Sequence, residues 1–74
     1  MNAERRKQIA EALTKIGEAK TTLEIVRDEE EEAKEALPEQ FQDGERGDKM
    51  QAANDAMEES IDDIDTITDR LENL

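Results

Sequence analysis

The chain has no cysteine, histidine, tryptophan or tyrosine, and only one phenylalanine and one proline among its 74 residues. Each absence removes a chemistry. Without cysteine or histidine there is no thiol nucleophile, disulfide, imidazole base or zinc site built on those ligands. No apolar run exceeds two residues, as in Ile25-Val26, so a membrane span and a signal-peptide core are both unexpected. A chain this short buries too little surface to carry a deep catalytic pocket and remain stable alone. The expectation is therefore a non-enzymatic protein without catalytic residues, cofactor or metal, placed by default in the cytoplasm.

What is present is charge. Acidic side chains number 22 against 10 basic ones, giving −12, and 43% of positions are charged. Such a surface repels nucleic acids and anionic membranes, so neither is expected as a direct partner. High charge with few hydrophobics is also the signature of disorder, but the spacing of apolar residues argues against it. They recur at Ile9, Ala12, Ile16, Ala19, Leu23, Val26, Ala33 and Leu37, interrupted at Glu30, and again at Met50, Ala53, Met57, Ser60, Ile64, Ile67, Leu71 and Leu74. Alternating steps of three and four are the mark of helices packed side by side. Leu13, Ala56 and Ile61 widen the stripes beyond a single seam, as bundles require.

Pro38 cannot continue a helix and biases Leu37 away from helical geometry. Residues 38–47 hold the only proline and two of the three glycines. The spacing predicts one all-α domain over 1–74, with a helix over about 3–37, a loop over about 38–43 and a helix over about 44–73. Asp43 is the expected cap of the second helix, with Glu45 in its first turn. Folded back as an antiparallel helical hairpin, Leu37 faces Met50, Val26 lies near Ser60 or Ile61, Leu23 near Ile64 and Ile16 near Leu71. Residues 1 to about 8 then lack a partner within the chain. Two such amphipathic helices bury little, so hairpins are expected to pair into a bundle, most simply a homodimer. Its expected core is Ile9, Leu13, Ile16, Leu23, Val26, Leu37, Met50, Met57, Ile61, Ile64, Ile67 and Leu71.

Charge is unevenly distributed. Residues 1–20 carry five basic side chains against three acidic ones, whereas residues 50–74 carry eight acidic ones against Arg70 alone. An acidic run, Asp28 to Glu32, closes the first helix. The basic arm of one hairpin against the acidic helix of another would make charge a guide to assembly. A sharper reading places a phosphate between protomers at Arg5, Arg6 and Lys7.

Other candidate chemistry reads more plainly as structure. The segment Asp43-Gly44-Glu45-Arg46-Gly47-Asp48 lacks the oxygen spacing of a calcium loop. Ser60 has no base to activate it and reads as a small residue easing helix approach. Met50 and Met57 sit at seam spacing, Gly17 reads as a tolerated flaw in a helix, and Phe41 is expected to plug the hairpin end. Phe41 as an anchor for a partner is the alternative.

The segment Leu37-Pro38-Glu39-Gln40-Phe41-Gln42-Asp43-Gly44-Glu45-Arg46-Gly47 resembles the turn of small, mostly uncharacterised helical proteins encoded by bacteriophages and prophages. In those proteins the turn follows a stretch similar to Arg27-Asp28-Glu29-Glu30-Glu31-Glu32-Ala33. Phe41 stands where leucine is more usual, and Gly44 where serine would cap better. The resemblance implies a phage or prophage setting, in which small acidic helical proteins often block host or defence components. It carries no functional residue over.

The leading expectation is thus a self-associating interaction protein, an inhibitor or adaptor. It would show a basic partner the acidic face Asp55, Glu58, Glu59, Asp62, Asp63, Asp65, Asp69 and Glu72, with nucleic-acid mimicry as the extreme form. Sequestration of a phosphorylated small-molecule signal at the basic arm and a purely structural scaffold are the alternatives.

Overall fold

In the computed structural model, which describes residues 1–74, the chain forms α1 (Ala3–Glu35), a single turn α2 (Glu39–Gln42) and α3 (Glu45–Glu72), with no strand. The all-helical expectation holds. The long helices α1 and α3 pack along each other in an extended body of 58 × 15 × 12 Å.

Local chemistry sets the ends. Asn2 accepts at Oδ1 from the Arg5 backbone N–H at 2.8 Å, and Glu4 and Lys34 oppose the macrodipole in the first and last turns of α1. Helix α1 stops at Glu35, before the residue that Pro38 holds extended. The Gln42 side-chain amide then donates to the carbonyls of Leu37 at 2.9 Å and Glu35 at 3.3 Å. Those carbonyls would otherwise lack partners at the helix end. Two expectations for the turn are corrected here. Glu39–Gln42 is helical, not loop, and the cap of α3 is Gly44, which has no side chain to offer. Asp43 instead ends α2. Glu45 and Asp48 supply negative charge in the first turn of α3, where the helix dipole favours it.

Polar contacts between the long helices define their register. Lys20 reaches Asp65 at 2.6 Å, Arg27 reaches Glu58 at 3.1 Å and Lys34 reaches Gln51 at 2.7 Å. Each pair's residue numbers add to 85, so the helices run antiparallel, within two residues of the expected pairing of Leu37 with Met50. The expectation that the first residues lack a partner within the chain is corrected. The Arg6 guanidinium donates to the Leu74 carbonyl at 3.2 Å.

The seam differs in phase from the apolar stripe. On α1 the covered positions are Ile9, Leu13, Ile16, Lys20, Leu23, Glu24, Arg27, Glu30 and Lys34; on α3 they are Gly47, Met50, Asn54, Met57, Ile61, Ile64, Thr68 and Leu71. Lys20, Arg27 and Lys34 lie where Ala19, Val26 and Ala33 would sit in a strict apolar seam. The physical reason is stem length. A lysine or arginine lays its methylenes along the neighbouring helix and still delivers its charge to an α3 acceptor, whereas alanine brings one methyl. Val26 and Ile67, expected in the core, are left 43% and 39% exposed. Only Ile61 is a buried apolar residue, at 6% exposure.

The result is a thin fold. Its radius of gyration is 17.1 Å, against about 11 Å for a compact chain of this length. Helix propensity therefore matters more than usual. A Cβ at Gly17 would meet nothing within 4 Å, so Gly17→Ala is expected to stabilise the chain by about 1 kcal/mol, read from denaturant unfolding.

Candidate functional site

The antiparallel pair has two unlike flanks, and a simple rotation rule separates them. On each helix the residue four places after the second seam position turns towards one side of the plane through the two axes. The residue one place before it turns towards the other. Because the helices run in opposite directions, equivalent positions fall on the same flank.

The first flank is polar. It carries Glu24 and Glu31 from α1 and Gln51, Glu58, Asp65 and Glu72 from α3. Here Arg27 spans Asp28 and Glu58, each at 3.1 Å, and Lys20 holds Asp65. The groove between the helices is lined by Arg27, Glu31, Gln51, Asn54, Asp55 and Glu58. Asn54 forms its floor, 6% exposed, with Oδ1 buried and unpartnered. The hydrogen bond that Lys20 donates to Asp65 raises the Lys20 ammonium above the usual lysine range, with desolvation opposing. A raised folded-state value means that this contribution is present at neutral pH and lost as pH rises through the lysine range. Lys20→Met is accordingly expected to flatten the fall in stability in alkaline denaturation scans.

The expected acidic face is split by this geometry. Glu58 and Asp65 are held by Arg27 and Lys20, and Asp55 accepts from the Gln51 amide at 2.9 Å. Glu59, Asp62, Asp63, Asp69 and Glu72 have no cationic partner and stand exposed. Glu31, in the acidic run of α1, joins the same flank. Sequence reasoning missed Glu31, Gln51 and Asn54; the signal was there in the seven-residue spacing of Gln51, Glu58, Asp65 and Glu72, with Glu31 opposite.

The basic arm does not converge. Arg5, Arg6 and Lys7 are consecutive and so point about 100° apart. Arg6 is engaged with Leu74, and the Arg5 backbone N–H is taken by the Asn2 cap. Phe41 does not plug the pair's end. It is 45% exposed, beside Gly44, Glu45, Arg46 and Lys49. Met50 and Met57 lie in the seam. No group of three or more acidic side chains is arranged to hold a metal ion, and no helix is long and apolar enough to cross a membrane.

The second flank is apolar and bridged by nothing. It carries Ala12, Ala19, Val26 and Ala33 from α1 and Ala53, Ser60 and Ile67 from α3, with Arg46 at its turn end. The Ser60 hydroxyl donates to the Ala56 carbonyl at 2.8 Å, which leaves the serine no unmet polar demand on this side.

No protein family, curated protein or solved structure matches this chain.

Proposed function

We propose that the chain is a non-catalytic interaction protein, a helical hairpin that self-associates and works by occupying a basic surface on another protein. The observation that carries this reading is the separation of carboxylates without a cationic partner from apolar residues on an extended pair of helices. Asp55, Asp62 and Asp69 recur every seven residues and Glu59 stands beside them, so the carboxylates form a row roughly 10 Å apart along the helix. A row of fixed charges of one sign steers an oppositely charged partner and aligns it, more strongly at low salt. The same row suits competition with nucleic acid for a basic groove. The resemblance of the turn to phage-encoded proteins supports a setting in which such a competitor blocks a host or defence component.

The test uses a chain in which Asp55, Asp62 and Asp69 become asparagine and Glu59 becomes glutamine. Both forms are immobilised and exposed to bacterial lysate at low salt. The native chain is expected to retain basic proteins that elute as salt rises, and the neutralised chain to retain none of them while keeping its helical circular dichroism. Equal retention by both forms would refute the reading.

A further inference from the structure

We infer that the apolar flank is the contact between two copies of this chain, stacked with their turns at opposite ends. The inference rests on the self-association proposed above and assigns it a surface and an orientation. The surface must be this flank because the alternatives are already committed. The seam is internal, the polar flank carries Lys20, Arg27 and their carboxylates, and the outer faces are charged apart from a lone exposed Ile25.

Area argues for a second copy. The chain exposes 5619 Å², whereas a compact protein of its 8.4 kDa exposes about 4,600 Å². The excess of about 1,000 Å² per chain is what one partner contributes to a standard dimer interface, roughly 800 Å². Exposed Val26 and Ile67 lie within it.

Orientation follows from taper. At the turn end the flank offers Ala33 and Ala53, with Arg46 at its margin, and at the open end Ala12 and Ile67, with Leu74 just beyond the helix. Copies stacked turn to turn would set alanine on alanine at one end and bulk on bulk at the other. Stacked with turns apart, the thin end of each receives the thick end of its neighbour, at an even spacing along the bundle. In this arrangement α1 lies antiparallel to α1 of the second copy. Residues 1–20, with five basic and three acidic side chains, then lie against residues 21–37, with two basic and seven acidic ones. The same stacking sets residues 50–74, with eight acidic side chains against Arg70 alone, on α3 of the second copy, so charge does not choose between the orientations and taper does. Ala12 meets Ala33 of the second copy, and Ala19 meets Val26.

Sedimentation equilibrium tests the surface. The native chain is expected at twice its monomer mass. A chain carrying Ala19→Arg and Ile67→Arg should dissociate at least about 100-fold more readily, because it buries four unpaired charges per dimer. Thr14→Arg with Thr66→Arg adds the same charge to outward positions and should leave the dimer intact. Orientation is read by oxidising an equal mixture of Ala12→Cys and Ala33→Cys chains, which should give the mixed disulfide as the main product. This second reading stands even if the arginine variant fails to fold. A native chain that is monomeric at every concentration overturns both the self-association and this surface. A dimer that survives the flank arginines, or is lost equally with the outward pair, overturns the surface alone. Absence of the mixed disulfide overturns the orientation.

Discussion

Gly47→Ala is expected to destabilise the chain by about 3 kcal/mol or more and to lower its helix content. Gly47 is buried beneath the turn, and a Cβ there would overlap the Gln42 carbonyl. The obstacle is backbone, so no side chain can swing aside. Its φ is negative like that of every other residue, which makes the requirement one of closeness and not of left-handed geometry. Relieving the overlap means moving the Phe41–Gln42 segment away from α3. That withdraws the Gln42 amide from the carbonyls of Leu37 and Glu35, so the end of α1 frays as well. Urea unfolding of Gly47→Ala beside Gly44→Ala checks the account. A Cβ at Gly44 meets only the Phe41 carbonyl, at an ordinary 3.7 Å. Equal effects at the two positions would show that the turn is not close-packed on Gly47.

The second large effect has the opposite sign. Asn54→Leu is expected to stabilise the chain by about 2 kcal/mol, removing the cost of a buried acceptor that has no donor. For a chain of this size that corresponds to a rise of roughly 10 °C in the melting temperature. Asn54 lies in the seam between Arg27 and Gln51, where Met57 one turn and Ile61 two turns further on already make an apolar surface that leucine extends. A polar residue retained at such a position favours one register over its neighbours. The leucine variant should therefore melt higher yet lose spectral uniqueness, seen as extra amide resonances. A lower melting temperature would show that the Asn54 amide is satisfied in solution and holds the helices together.

The helices, their order and their pairing to within two residues were legible from the seven-residue spacing of Ile9, Ile16 and Leu23 and of Met50, Met57 and Ile64. Which of two adjacent stripes would close the seam was not. Ala12, Ala19 and Ala33 look like core by residue type, and Lys20, Arg27 and Lys34 look like surface, yet the long stems bury more and the alanines stay out. Hydropathy ranks side chains by polarity and is blind to reach. The turn was misread for a related reason. Asp43 had the right chemistry for a cap, but Gln42 and Gly47 act through contacts that only the folded turn creates. The acidic face was legible as composition and only partly as a surface, since Glu58 and Asp65 are spent on cations of α1.

One measurement bears on the central claim most directly: native mass spectrometry of the gently purified chain at low and then raised salt. The two contacts differ in physics, since apolar burial holds or strengthens with salt while exposed charge pairing weakens. The account predicts twice the 8.4 kDa chain mass at both salts, with a basic protein attached at low salt and released as salt rises. A bare single chain at both salts would contradict it.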